Sequence, residues 1–260
     1  MKWYLNPPSS FFIGGVEIQY YGLMVALGML FGLLITSKLA KKRGFKDDDI
    51  WLLALFVFPL AILGARIYYC LFYDHNYTFW EFWRIWDGGI AVYGAIIGGA
   101  IAVALYCLIF KKNFFALADV VVIGVALGQA IGRLGCYFGH CCYGVEVTIE
   151  SLKVFPISIV HDGTWHYATF FYESVWNLIG MLILLKTIDV LHQNGTNLSL
   201  YMIWYGIGRF MIEAIRGDSL FVGGGTSKIS QIVSILFIVA GTGLLIYNIV
   251  KKRKTDGKEI

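Results

Sequence analysis

The sequence predicts an all-α integral membrane protein: a bundle of about seven transmembrane helices with the N-terminus outside and the C-terminus cytoplasmic. Three observations carry this. Of 260 residues, 58% are hydrophobic and 15% charged, with a mean hydropathy of +0.69. A bilayer-spanning helix takes about 20 apolar residues, so the length is used up by helices and a sizeable soluble domain is excluded. The 30 glycines agree, because small residues let membrane helices approach closely, and four prolines are too few for a fibrous or disordered chain.

Apolar runs occur at 17–37, 50–73, 88–110, 115–137, 167–187, 198–216 and 229–250, with ends defined to about four residues. The first opens on Glu17, and the sixth contains Arg209, Glu213 and Arg216, so these two are the least apolar. The third carries Gly94 and Gly98, and the fourth Gly128, Gly132 and Gly135, a helix-packing pattern. Residues 1–260 are expected to form one polytopic domain, with 138–166 as an exterior loop or cap and 251–260 as a basic cytoplasmic tail. Met1 to Phe12 is polar with a Pro-Pro pair and lacks the charged region and short apolar core of a cleavable signal. No internal repeat is visible.

Orientation follows from the 21 Lys and Arg. Thirteen fall in one set of alternating loops and the tail, from Lys38 to Lys258. Four, Lys2, Arg84, Lys153 and Lys228, fall in the other set. The remaining four, Arg66, Arg133, Arg209 and Arg216, lie within spans or at their ends. Positive loops stay cytoplasmic, which fixes the orientation and accounts for the net charge of +4 without nucleic acid.

An ionised side chain in hydrocarbon costs at least about 2.5 kcal/mol and therefore needs a partner or an aqueous cavity. Arg66, Asp119, Arg133, Glu173, Arg209, Glu213 and Arg216 are the informative ones. Tyr205, Arg209, Glu213 and Arg216 follow one another at intervals of four, four and three and share a helical face. A lone Arg–Glu pair would be structural neutralisation, but several arginines with fewer acids point to an anionic ligand. The planar guanidinium fork suits phosphate, and the anion available at that depth is a phospholipid headgroup.

Cys136, Cys141 and Cys142 cluster in GRLGCYFGHCCYG beside His140. Three thiolates and an imidazole make a zinc set, yet adjacent Cys141 and Cys142 are awkward for one tetrahedral ion, and no metal is expected. A disulfide from Cys136 to Cys141 or Cys142 suits an oxidising exterior. Small-residue packing at a bundle end is the preferred reading, and Cys70 and Cys107 read as helix packing. His75, His161, His166 and His192 lie in loops with no partner at ligand spacing. No nucleotide-cradling glycine loop occurs, and no cofactor is expected.

Six segments resemble, in order, the phosphatidylglycerol–prolipoprotein diacylglyceryl transferases of bacterial inner membranes. IQYYGLM is similar to the family's opening and carries over Tyr21; LGARIYYCLFY carries over Arg66. GGIAVYGAIIGG resembles the glycine-rich third-span signature, and GQAIGRLGCYFGHCCYG the Gly-Arg signature, giving Arg133. TFFYESVWNLIG supplies Tyr172 and Glu173; YGIGRFMIEAIRGD supplies Tyr205, Arg209, Glu213 and Arg216. Several positions depart from the family. Tyr93 stands where the family has a histidine, Cys136 where it has an asparagine, and Cys141 close to where it has an acidic residue. Tyr167, Ala168 and Phe170 replace a His-Pro and a Gln around Thr169.

The resemblance implies transfer of diacylglyceryl from phosphatidylglycerol to the lipobox cysteine thiol of a prolipoprotein signal peptide, with release of glycerol phosphate. Its catalytic candidates are Tyr93, Arg133 and Arg209. Arg133, Arg209, Tyr21, Arg66 and Tyr205 would bind phosphatidylglycerol, supported by Glu213, Arg216, Tyr172 and Glu173. Tyr93 takes the place of the base, although a phenol is weak in that role unless cations assist it. The partners implied are phosphatidylglycerol, the prolipoprotein and membrane lipid. The competing readings are a paralogue without this activity and a lipid-binding transporter, which would predict broken helices or an inverted repeat.

Overall fold

The computed structural model describes residues 7–72, 79–84, 88–217 and 228–256. Lys2, His75 and Lys258, used in the sequence reading, lie outside them. The chain divides into two compact units, one of residues 1–36 with 119–260 and one of residues 37–118.

In the first unit, β1 (Ser10–Ile13) and β2 (Val16–Gln19) pair antiparallel from Ser10↔Gln19 to Ile13↔Val16. Gly14 and Gly15 make the turn at φ 58° and 84°, the left-handed pair that a two-residue hairpin requires. Glu17 thus belongs to a strand rather than to the first span, which begins with α1 (Tyr20–Ala40). The Tyr20 ring meets both Phe11 at 4.9 Å and Phe138 at 5.1 Å, tying the hairpin to the end of α5 (Phe114–Phe138).

Helix α1 packs on α5 through glycines. A Cβ on Gly28 would stand 2.7 Å from the Gly128 carbonyl oxygen, and one on Gly32 would stand 2.6 Å from that of Gly124. No side chain fits at such distances. Helices α6 (Thr169–Val190) and α7 (Thr196–Ala214) interlock through Trp176 and Trp204, which stack at 4.3 Å. Gly208 makes room for the Trp176 indole and Gly180 for that of Trp204. Buried Asp119 accepts the Gly195 N–H at 2.8 Å and the Leu198 N–H at 2.9 Å, capping α7. A helix start leaves such N–H groups without partners and carries partial positive charge, so the carboxylate is satisfied there. Helix α8 (Ile229–Asp256) packs on α7 where Gly206 faces Ser234 and Gly241 faces Ser199.

The 138–166 stretch is ordered by an antiparallel hairpin, β3 (Ser158–His161) with β4 (Thr164–Tyr167). Single bridges join Gly144 to Arg216 and Glu146 to His166.

The second unit holds α2 (Asp47–Phe72), the short α3 (Phe79–Phe82) and α4 (Val92–Ile109). Gly64 of α2 and Gly94 of α4 face each other so closely that a Cβ on Gly64 would lie 2.5 Å from the Gly94 oxygen. Gly98 abuts the Leu60 carbonyl in the same way, as the four-residue glycine spacing predicts. Helix α4 starts at Val92 rather than 88, because Gly88 and Gly89 are left-handed at φ 87° and 71°. At its other end Lys111 is left-handed, and Asp49 accepts from the Tyr106 hydroxyl at 3.1 Å and from Lys112 at 3.0 Å.

Among the described residues, six helices are long and apolar enough to cross a membrane: α1, α2, α4, α5, α6 and α8. Helix α7 is the predicted sixth span, and its polar face, with buried Thr196, Asn197, Ser199 and Glu213, keeps it out of that set. Large apolar side chains such as Leu55, Leu108, Leu236 and Val239 project outward and suit acyl chains, so the chain is a multi-pass membrane protein.

Candidate functional site: an arginine cluster built around Glu173

The expensive side chains of the first unit converge. Arg133 lies near the C-terminal end of α5, Glu173 in the first turns of α6, Arg209 and Glu213 in the last turns of α7, and Arg216 just beyond. Glu173 is 4% exposed. Its Oε2 receives Arg133 Nε at 2.6 Å, and its Oε1 receives Arg209 Nη1 at 2.7 Å and Arg216 Nη1 at 3.5 Å. Glu213, 1% exposed, pairs through Oε2 with Arg209 Nη2 at 2.8 Å and Arg216 Nε at 3.9 Å. Arg209 Nη2 also donates to Ser230 Oγ at 3.2 Å.

The sequence stripe on α7 is thus real, and Glu173 joins it to Arg133 on another helix. Among the described residues, three guanidiniums gather on two buried carboxylates, Glu173 and Glu213. Buried charges are stable when matched, and the shared carboxylates do that here, while the planar guanidinium forks are of the kind that suits a phosphate. A narrow cleft adjoins the cluster, lined by Glu173, Trp176, Tyr205 and Arg209 among others.

Two contributors were not singled out from sequence. Ser230 holds the far side of Arg209. Lys228, read only as a loop charge, donates to the carbonyls of Glu213 at 2.6 Å and Arg216 at 3.4 Å, closing the C-terminal end of α7. A cation there meets the last helical carbonyls and the negative end of the helix dipole. Nothing in sequence spacing links Lys228 to that carbonyl group.

The other candidates have distinct settings. Tyr21, half-exposed, lies on the first turn of α1 against Gly135, whose Cβ would fall 3.2 Å from the Tyr21 ring. It is within electrostatic reach of Arg133 and the three clustered cysteines. Tyr172 donates its hydroxyl to the Ile157 carbonyl at 2.5 Å, which fastens α6 to the loop before β3. Arg66, in the second unit, is 2% exposed and donates to the carbonyls of Glu81, Phe82, Gly88 and Gly89 at 2.6 to 2.9 Å. Its guanidinium organises the backbone between α2 and α4. Tyr93, on the first turn of α4, sets its ring 6.3 Å from that of Tyr68.

Arg133 also donates through Nη1 to Cys142 Sγ at 3.6 Å. Hydrogen bonds from the Cys136 and Cys141 thiols, with the nearby Arg133 and Arg216 guanidiniums, pull the Cys142 thiol well below the ordinary thiol range. All five cysteines are free, and the disulfide considered from sequence is not formed.

The family model for prolipoprotein diacylglyceryl transferase matches residues 8–247. Phosphatidylglycerol–prolipoprotein diacylglyceryl transferase 1 of Clostridium perfringens is 37% identical over 254 residues, covering 95% of this chain and 96% of the relative. The Listeria innocua enzyme of that name is 37% identical over 255 residues, covering 94% and 90%. That of Lysinibacillus sphaericus is 37% identical over 256 residues, covering 94% and 93%. The matched stretch runs from the opening hairpin into α8 and contains every arginine of the cluster, so a glutamate-bridged set of guanidiniums on membrane helices is here the work of a chain that belongs to the prolipoprotein diacylglyceryl transferase family.

Proposed function

We propose that this chain transfers the diacylglyceryl group of phosphatidylglycerol to the lipobox cysteine thiol of a prolipoprotein, and that Arg133 and Arg209 hold the headgroup phosphate. The observation that carries the residue assignment is the convergence of Arg133, Arg209 and Arg216 on Glu173 beside a cleft. Homologous chains named for this activity support the reaction.

In the reaction the thiol gives up its proton. The sulfur electron pair then forms a bond to the glycerol carbon that bears the phosphate ester, the carbon–oxygen bond breaks, and its electrons depart on glycerol phosphate. Two demands follow. The thiol must be deprotonated, because the thiolate is the nucleophile. The leaving phosphate gains charge, and guanidiniums fixed in a dry site stabilise that charge more than water would.

Glu173 spaces Arg133 and Arg209 and keeps the pair soluble in a low dielectric until lipid phosphate competes for them. Arg216 and Glu213 form the orienting set behind Arg209, and Tyr205 on the cleft wall faces the glycerol headgroup. Arg66 acts by holding the backbone at Gly88 and Gly89 just ahead of Tyr93, the proton acceptor that the family resemblance suggests. Tyr21 and Tyr172 take positioning roles at the start of α1 and α6.

Orientation follows the basic residues: N-terminus outside and tail cytoplasmic. The deciding experiment is complementation of a bacterium depleted of its own transferase. Rescue that is lost in Arg133→Ala supports the assignment, whereas phosphatidylglycerol binding without rescue supports a lipid-binding paralogue.

A further inference from the structure

The spacing of Cys136, Cys141 and Cys142 argues against a single metal ion, because neighbouring residues in extended chain point to opposite sides. The structure removes that objection. After the last turn of α5 the chain folds back, with the Cys141 N–H donating to the Cys136 carbonyl at 3.1 Å. His140 and Cys142 both take left-handed backbone, at φ 47° and 58°. Residues other than glycine rarely adopt it and persist where their surroundings enforce it, often at functional sites. Here Thr169 Oγ1 donates to the Cys142 carbonyl at 2.6 Å, and the Gly144 N–H donates to the Tyr167 carbonyl at 2.7 Å. As a result the three sulfurs lie within 4.8 Å of one another.

That spacing suits a cation better than it suits either alternative. Thiolates bound at about 2.3 Å to a tetrahedral zinc stand about 3.8 Å apart, within small side-chain rotations of the arrangement seen. A disulfide needs two sulfurs at about 2.05 Å and leaves the third without a role. Apolar packing needs no common point for three sulfurs.

Surrounding groups fit as well. A three-thiolate site with a divalent ion carries one negative charge, and Arg133 Nη1 already lies 3.6 Å from Cys142 Sγ. Cys136 and Cys141 wall a small cavity shared with His140 and His161. His140 Nε2 is engaged with the Pro7 carbonyl at 3.0 Å, and a water can complete the tetrahedron as fourth ligand.

We propose that Cys136, Cys141 and Cys142 form a binding site for one thiophilic d10 cation of the Zn²⁺ class, held by three thiolates at the end of α5. Binding involves no electron transfer; it releases the thiol protons to solvent. The ion joins α5 to the loop that precedes β3 and α6, and so fixes the end of the helix that carries Arg133. The inference rests on the sulfur geometry alone and stands whether or not the transferase assignment of Arg133 holds.

The test uses the full chain, purified in detergent under reducing conditions and stripped with a chelator. Cd²⁺ and Zn²⁺ are then titrated separately. The expected result is one equivalent of Cd²⁺ with thiolate-to-metal charge-transfer absorption, one equivalent of Zn²⁺ that Cd²⁺ displaces, and protection of the three cysteines from maleimide in mass spectrometry. Cys136→Ser and Cys141→Ser should each weaken Cd²⁺ binding at least tenfold, whereas Cys70→Ser and Cys107→Ser should not change it. Because the absorption is read on the unsubstituted protein, a variant that fails to fold leaves the test intact. Absence of saturable uptake, or uptake unchanged in Cys136→Ser, overturns the proposal. So does a Cys136–Cys141 or Cys136–Cys142 disulfide in protein taken directly from membranes.

Discussion

Trp176 and Trp204 exchange hydrogen bonds: each indole N–H donates to the backbone carbonyl of the other residue, both at 3.0 Å. The pair stacks at 18° between α6 and α7 and fixes the approach of Glu173 to Arg209, which share the cleft with Trp176. Gly208 lies directly against the Trp176 indole nitrogen. A methyl there has nowhere to go, so Gly208→Ala should destabilise by about 1–3 kcal/mol through overpacking. The check is a lowered melting temperature in detergent, with transfer activity falling in parallel.

Glu173→Gln removes the carboxylate that three guanidiniums share. Leaving buried charges without their partner typically costs about 3–5 kcal/mol. The variant should melt early and lose transfer, and phosphatidylglycerol vesicles should restore more of its stability than phosphatidylcholine vesicles do. Equal rescue by both lipids would count against an anion site.

Arg133→Lys and Arg209→Lys keep a charge and lose the planar fork. If these residues hold the leaving phosphate, each should reduce kcat/KM for in vitro transfer by roughly 10²-fold, with the change mainly in kcat. A change confined to KM would make them headgroup anchors only.

Tyr93→Phe deletes one oxygen and keeps the ring. As the proton acceptor, Tyr93 should cost roughly 10²-fold or more when removed. Full transfer activity in this variant eliminates it from the reaction.

Asp119→Ala strands the Gly195 and Leu198 N–H groups in a buried setting. Loss of such a cap should cost about 1–2 kcal/mol, read as earlier thermal unfolding, with the arginine cluster and its activity otherwise retained in the folded fraction.

Much of this was legible before folding. The apolar runs, the glycine spacing between α2 and α4, and the Tyr205–Arg209–Glu213 stripe are local properties, because a helix repeats every 3.6 residues and a bilayer demands length and apolarity. The first span shows where local reading stops. Glu17 to Gln19 read as the opening of the first span, but the left-handed Gly14–Gly15 turn pairs Val16–Gln19 with Ser10–Ile13 as a strand.

What the sequence by itself determined is which side chains cannot be left in lipid and how many helices carry them. What only the tertiary structure decided is who meets whom. Asp119, Arg66 and Glu173 look alike in sequence as intramembrane charges. One caps a helix, one gathers four carbonyls, and one bridges three arginines. The same holds for the cysteines, whose common point depends on two left-handed residues. The physical reason is range. Hydropathy and helical period act over a few residues, whereas pairing of buried charges and thiols is fixed by helices distant in sequence and by backbone torsions that no spacing encodes.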